Sequence, residues 1–182
     1  SVTLHTSLGD IKVEVFCEIV PRAAENFLGL CAAGVYDEVK WHRNMAGFMI
    51  QVRGRLTQTG DPTGTGKGGE SIWGAPFEDE IRPTLKFNAR GIVAMANSAP
   101  NTNKSQDGGA CALTEFFITY SKQPHLDGKY TIIGKVIDGA ELGGTLDAME
   151  KVPVDAKHRP VEEIRMRGVT IHANPIAQKA IA

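Results

Sequence analysis

The sequence predicts a mainly β fold, a closed eight-stranded antiparallel β-barrel capped by two α-helices. Three observations favour this fold: about eight segments have strand character, two have helical periodicity, and strands and helices do not alternate as in a doubly wound sheet. No internal repeat or linker divides the 182 residues. We therefore predict a single domain that spans residues 1–182 and is long enough to bury a hydrophobic core.

The first predicted element is a β-hairpin. In the segment DIKVEVF, Ile11, Val13 and Val15 alternate with polar residues, which is the pattern of a strand with one buried face. The preceding residues 8–10, Leu-Gly-Asp, are typical of a tight turn. The sequence therefore predicts two paired strands at the start of the barrel.

Two helices are predicted from their periodicity and their ends. The first begins near Pro21, which suits the first turn of a helix, and ends near Gly34. Its apolar residues recur at helical spacing: Ala24, Phe27, Leu28 and Cys31. The second covers Thr145–Lys151, between a pair of glycines and Pro153.

Five further segments are apolar and strand-like. They are HRNMAGFMIQ (42–51), RGIVAMAN (90–97), EFFITYS (115–121), KYTIIGKVI (129–137) and EEIRMRGVTIHA (162–173). A long region rich in glycine and proline separates the first two. Together with the two strands of the hairpin, these segments supply most of the strands of the predicted barrel.

Composition and charge exclude several classes of function. With 20 Lys and Arg against 21 Asp and Glu, the chain has no basic excess with which to bind nucleic acid. No apolar run is long enough to span a membrane, and the first ten residues have no secretory-signal pattern. Cys17, Cys31 and Cys111 resemble neither a disulfide framework nor a zinc site, which predicts a reducing compartment, the cytosol or the nucleus.

A glycine-rich segment, TGDPTGTGKGGES (59–71), contains the pattern GxGxxG at Gly64, Gly66 and Gly69. In a dinucleotide site this pattern follows a strand and opens a helix whose N-terminus holds the phosphates. Here neither neighbour is predicted, and Gly68 stands where a phosphate-binding loop needs Ser or Thr. We interpret the segment as a surface loop. The histidines and serines also lack metal-site or nucleophile spacing, so we predict no metal and no cofactor.

Four segments together resemble the cyclophilin family of peptidyl-prolyl cis-trans isomerases. They are WHRNMAGFMIQ, TGDPTGTGKGGESIWGAPFEDE, RGIVAMANSAPNTNKSQ and FFITYSKQPHLDGKYTIIGKVIDG, in the order that the family has them. The start of the chain, KQPHLDGKYT and VTIHANP are most similar to the small single-domain kind called cyclophilin J or isomerase-like 3. The resemblance implies a barrel with two helices and an enzyme that assists protein folding. It also implies proline-containing peptides and proteins as substrates and association with the spliceosome. The sequence itself does not indicate an oligomeric state, and a monomer is the default expectation.

The resemblance also implies the residues of the active site. It places the catalytic arginine of the family at Arg43. The substrate-binding residues that it implies are Phe48, Met49, Gln51, Ala96, Asn97, Gln106, Phe117, His125, Leu126 and Tyr130. At the twisted transition state the imide nitrogen of an X-Pro bond regains its lone pair, and a fixed guanidinium can donate a hydrogen bond to it. This reaction needs no nucleophile, metal or cofactor.

The sequence departs from the family pattern by three insertions and two substitutions. The insertions are residues 52–58, 107–115 and 140–144, and the first leaves open whether Gln51 or Gln58 serves the site. The first two interrupt segments that build the site, so the alternative function is a catalytically weak or inactive proline-binding module. His125 stands where many cyclophilins have tryptophan, and Tyr130 where many have histidine. Loss of the indole donor predicts weak binding of cyclosporin-type inhibitors.

Overall fold

The structure is a computed structural model that describes residues 1–54, 71–73, 77–97 and 115–181. Within these ranges, eight antiparallel strands form a closed barrel in the order β1-β2-β7-β5-β6-β4-β3-β8. They are β1 Val2–Thr6, β2 Gly9–Val15, β3 Val39–Met45, β4 Met49–Arg53, β5 Ile92–Met95, β6 Glu115–Thr119, β7 Ile132–Asp138 and β8 Arg165–Ile171. Strand β8 pairs with both β1 and β3 and thereby closes the barrel, which confirms the predicted fold class.

Both predicted helices are present. Helix α1, Pro21–Ala32, begins with its proline in the first turn and packs against β8. Helix α2, Thr145–Glu150, packs against β2 and β3. In α2, the Asp147 carboxylate accepts hydrogen bonds from the Gly143 backbone N–H and from Lys151 Nζ, so it joins the first turn to the residue that follows the helix.

A third helix, α3, covers Pro175–Ile181 and was not predicted from the sequence. Its first turn is formed by an asparagine cap followed by proline, since Asn174 Oδ1 accepts a hydrogen bond from the Ala177 backbone N–H at 3.1 Å. None of the side chains of α3 that the structure describes is fully buried, so the apolar periodicity that indicates longer helices is weak here. The signal that could have found this helix was the Asn-Pro pair.

The segment HRNMAGFMIQ, interpreted as one strand-like segment, contains parts of two strands. A turn at residues 46–48 separates β3 from β4, and the Phe48 N–H donates to the Met45 carbonyl at 2.9 Å. Gly47 has a φ of +75°, a conformation that glycine adopts without steric cost. The apolar residues on both sides of the turn conceal it in the sequence.

Apolar side chains from each of the eight strands in the described ranges fill the inside of the barrel. We call this set of side chains the inner core. Phe116 of β6 lies at its centre and is fully buried. Its ring makes edge-to-face contacts with Phe27, Tyr36 and Trp41, at centroid distances of 5.3, 5.1 and 5.8 Å. Helix α1 supplies Phe27, so the helix and the barrel share one core.

A second apolar cluster lies on the outer face of strands β4, β6, β5 and β7, and we call it the outer cluster. Its buried members are Met49, Phe87, Ile92, Ala94, Ala96, Phe117, Leu126 and Ile132. Side chains alternate between the two faces of a strand, so Phe117 faces outward because Phe116 faces inward. The segments around Phe87 and Leu126 cover part of this face and leave a pocket beside them.

No helix in the described ranges is both long enough and apolar enough to cross a membrane. In the same ranges, no group of three or more His, Cys, Asp or Glu side chains could hold a metal ion.

Candidate active site

The outer cluster contains an open pocket of about 200 Å³. Eight residues line it: Arg43, Phe48, Met49, Gln51, Ala96, Phe117, Leu126 and Tyr130. All eight are among the residues that the sequence analysis placed in the site. They come from β3, β4, β6, the end of β5 and the loop before β7, so residues more than eighty positions apart share one pocket.

Aromatic contacts hold the floor of the pocket in place. The Phe117 ring is only 4% exposed and stacks on Phe87 with an interplanar angle of 10° and a centroid distance of 5.9 Å. The Tyr130 ring meets Phe117 edge-on at 5.5 Å. Because these two neighbours constrain the Phe117 ring, the floor of the pocket has a fixed orientation.

One wall is formed by the short 3₁₀ helix Pro124–Leu126, which carries Leu126. Backbone and side-chain bonds join this segment to the one that carries Phe87. The Gln123 N–H donates to the Phe87 carbonyl at 2.7 Å, and the Phe87 N–H donates to the Asp127 carboxylate at 2.7 Å. These bonds fix the position of the segment that carries Leu126 relative to Phe87, the residue that stacks on Phe117.

A β-bulge directs Arg43 toward the pocket. Trp41 pairs with Val52 whereas Arg43 pairs with Gln51, so His42 is an extra residue on β3. Strict alternation would put Arg43 on the same inward face as Trp41, and the bulge instead leaves Arg43 exposed beside Gln51. The inward position passes to Asn44, which is buried and hydrogen-bonded to the Tyr120 hydroxyl.

A buried carboxylate that the sequence analysis did not identify lies behind the pocket-lining residue Gln51. Glu115 accepts a hydrogen bond from Gln51 Nε2 with one oxygen and from Arg53 Nε with the other. His42 Nε2 lies 3.9 Å from the same carboxylate. Burial lowers the pKa of His42, and the Glu115 carboxylate partly opposes this effect. The available signal was the alternation in EFF, which puts Glu115 on the same face as Phe117.

Two of the predicted residues lie at the rim rather than in the lining. Asn97 Nδ2 donates to the Lys129 carbonyl at 2.9 Å, so it ties the end of β5 to the loop that carries Tyr130. The His125 side chain is exposed, and its ring stacks on Phe48 at 5.7 Å. Two further candidates, Gln106 and Gln58, lie outside the described residues, as does most of the glycine-rich segment.

Comparison with known proteins agrees with this geometry. Residues 1–171 match the family described as cyclophilin type peptidyl-prolyl cis-trans isomerase/CLD. The chain belongs to this family. It is a cyclophilin-type peptidyl-prolyl cis-trans isomerase, and the barrel described above is that of a cyclophilin. The resemblance stated from the four sequence segments is thereby confirmed.

Sequence similarity to known relatives covers nearly the whole length of this cyclophilin. The peptidyl-prolyl cis-trans isomerase-like 3 of Mycosarcoma maydis is 73% identical over 180 residues, covering 99% of this chain and 98% of its own. The protein of the same name from Homo sapiens is 58% identical over 179 residues, covering 98% of this chain and 99% of its own.

A solved structure shows the same similarity in three dimensions. The Cryptosporidium parvum cyclophilin type peptidyl-prolyl cis-trans isomerase, crystallised in the presence of the dipeptide Ala-Pro, has a TM-score of 0.74 and 45% identity. The alignment covers 95% of this cyclophilin and 99% of that chain. The similarity therefore extends over nearly the whole length of both chains.

Proposed function

We propose that this cyclophilin isomerises X-Pro bonds of protein chains in the pocket of the outer cluster, with Arg43 as the catalytic residue. The observation that carries the proposal is the position of an arginine at an otherwise largely apolar pocket. The apolar residues Phe48, Met49, Phe117 and Leu126 would bind the prolyl ring and exclude water. The solved relative in the presence of Ala-Pro supports a proline-containing ligand.

The chemistry follows from the electronic change at the imide bond. Resonance makes the planar bond rigid, with a barrier of about 18–20 kcal/mol, and rotation through the transition state returns the lone pair to nitrogen. The Arg43 guanidinium keeps its charge and offers donors in a fixed planar arrangement. A hydrogen bond from it to that nitrogen is stronger in the transition state than in the planar ground state, which is the condition for catalysis.

Replacement of Arg43 tests this assignment. We expect Arg43→Ala to lower kcat/KM for a short X-Pro peptide by at least about tenfold, or ~1.4 kcal/mol of transition-state stabilisation. Arg43→Lys keeps the charge but loses the planar set of donors, so it should recover only part of the activity. The matched control is Arg167→Ala on β8, an exposed arginine whose guanidinium lies 3.8 Å from Glu38. Equal activity of Arg43→Ala and the wild type would contradict the assignment.

The alternative function, a proline-binding module with weak or absent catalysis, is separated by the same assay. A wild-type protein that binds a proline peptide but does not accelerate its cis-trans exchange would support the module. Exchange that depends on Arg43 would support the enzyme and exclude the module. Peptide binding and exchange can be followed together by NMR, because catalysis broadens the separate cis and trans resonances of the peptide.

The wider biological role proposed here is assistance in folding and association with spliceosomal proteins, in the cytoplasm or the nucleus. The resemblance to the isomerase-like 3 kind supports this role. The test is affinity capture from a nuclear extract with the wild type and with Phe117→Ala. Spliceosomal proteins captured by both would bind outside the pocket, those lost with Phe117→Ala would be pocket ligands, and capture of none would contradict the association.

A further inference from the structure

Glu115 occupies an unusual position for a carboxylate. It begins β6, its side chain is only 9% exposed, and it lies on the same outer face as the pocket floor residue Phe117. We propose that Glu115 is a positioning residue that orients the amide of Gln51 at the edge of the pocket. This inference rests on the proposed function of the pocket and concerns how its polar side is held.

The hydrogen bonds of Glu115 determine the orientation of the Gln51 amide. An ionised carboxylate can only accept hydrogen bonds, so the amide must turn its NH₂ group toward it. Gln51 Nε2 donates to one oxygen of Glu115, and Arg53 donates to the other. The carbonyl oxygen, at the other end of the Gln51 amide, is not hydrogen-bonded to Glu115. Glu115 thus fixes which end of the Gln51 amide is the donor that faces it and leaves the carbonyl oxygen at the other end as an acceptor.

The backbone pairing of β4 and β6 makes this arrangement specific to Glu115. Arg53 and Glu115 are directly opposite each other, whereas Gln51 is opposite Phe117. The side chains of Arg53, Gln51, Glu115 and Phe117 therefore share one face and lie within reach of each other. Arg53 provides the opposite charge that compensates the carboxylate for its loss of water, and Gln51 uses the remaining oxygen.

Glu115 also contacts the other side of the pocket through its backbone. Its carbonyl accepts a hydrogen bond from the Ala96 N–H at 2.9 Å, and Ala96 lines the pocket together with Gln51. One residue therefore contacts both strands that flank the floor, β4 by its side chain and the end of β5 by its main chain. A substitution at position 115 removes the side-chain contact and keeps the backbone contact, which makes the proposal testable.

A double-mutant cycle with Gln51 tests whether Glu115 acts through that amide. We expect Glu115→Ala to lower kcat/KM about fivefold in the wild-type background and less than about twofold in the Gln51→Ala background. The same loss in both backgrounds would overturn the proposal, as would no loss in either. If Glu115→Ala does not fold, the cycle is run with Glu115→Leu, which keeps more of the side-chain volume but has no oxygen to accept from Gln51.

A spectroscopic measurement tests the same contact independently of catalysis. The side-chain NH₂ resonances of Gln51 are identified by their disappearance in Gln51→Ala, and we expect them to shift in Glu115→Ala. The control is the side chain of Gln123, whose NH₂ donates to the Gly47 carbonyl at 3.1 Å and should keep its resonances. Unmoved Gln51 resonances would overturn the proposal.

The two measurements separate a failure of this inference from a failure of the proposed function. If the wild type does not catalyse exchange, the proposed function fails, and the NMR experiment still decides whether Glu115 orients Gln51. If the wild type is active and Arg43→Ala is impaired, but the cycle shows no coupling, only the role of Glu115 is excluded.

Discussion

Phe116 and Phe117 are neighbours in the sequence but serve different regions of this cyclophilin. Phe116 faces the inner core, is fully buried and contacts three aromatic rings. Phe117 faces the outer cluster, where it stacks on one ring, meets another edge-on and lines the pocket. The enclosed face of the sheet is thus filled by packed side chains, whereas the partly covered face leaves room for the pocket.

The outer cluster stays open because small residues stand beside the aromatic floor. Ala94 of β5 is directly opposite Phe117 of β6, and Ala96 lines the pocket. A methyl group in place of a large side chain leaves room that the covering segments do not fill. In the inner core, by contrast, large side chains from opposite sides of the barrel meet and exclude space for a ligand.

The largest expected effect is on the inner core. Phe116→Ala should lower the free energy of unfolding by about 3–5 kcal/mol, because a fully enclosed ring leaves a cavity that its neighbours cannot fill. Urea denaturation followed by circular dichroism measures this change. A loss below about 1 kcal/mol would mean that the barrel interior is not the main source of stability.

The matched substitution on the outer face, Phe117→Ala, should reduce activity more than stability. We expect Phe117→Ala to lower kcat/KM at least about thirtyfold, or ~2 kcal/mol, because the prolyl ring loses its floor. The loss of unfolding free energy should be smaller than for Phe116→Ala, since the site is already open on one side. The exchange assay and urea denaturation are performed on both variants. Equal effects of the two substitutions on stability and on activity would invalidate the comparison.

The rim offers a test of intermediate size. His125→Trp restores an indole N–H donor where many cyclophilins have tryptophan, and it should tighten binding of a cyclosporin-type inhibitor about tenfold, or ~1.4 kcal/mol. The control is His125→Phe, which retains an aromatic ring to stack on Phe48 but has no donor. Affinities are measured by titration calorimetry. If both variants gain equally, stacking rather than the donor is responsible.

The smallest expected effect concerns the bulge residue His42. Its pKa is lowered from the ordinary value of 6.5 by burial, with the Glu115 carboxylate acting against this and Arg53 and Arg43 reinforcing it. The unfolded chain therefore binds the proton more readily than the folded one. The contribution of neutral His42 to the free energy of unfolding is present in full above pH 6.5. It is lost as the pH falls from there through the pKa of His42 in the folded state.

Thermal unfolding at a series of pH values measures this effect. Between about pH 7 and pH 5, the midpoint should fall less steeply in His42→Asn than in the wild type, because the variant has no imidazole to protonate. His5→Asn is the matched control, since that histidine is exposed at 39% and bonded to Asp10 at the surface. Identical pH profiles of the wild type and His42→Asn would contradict the prediction.

Local patterns in the chain were sufficient for most of the fold. Alternation identified the strands, and Pro21 with the spacing of Ala24, Phe27 and Leu28 identified α1, because these signals depend only on neighbouring residues. The turn between β3 and β4 was not predicted, because apolar residues on both sides concealed it. The short helix α3 was not predicted either, because its described residues show no buried apolar stripe. The resemblance to cyclophilins, rather than any periodicity, identified the pocket residues.

Amino-acid order thus specified most of the strands, the two helices that cap the barrel and the resemblance to the cyclophilin family. It did not specify that His42 forms a bulge, that Arg43 consequently faces outward, or that Glu115 reaches Gln51. These three features depend on the register between strands that are distant in the chain. Register follows from packing across the whole sheet, and a shift of one residue moves every side chain to the opposite face.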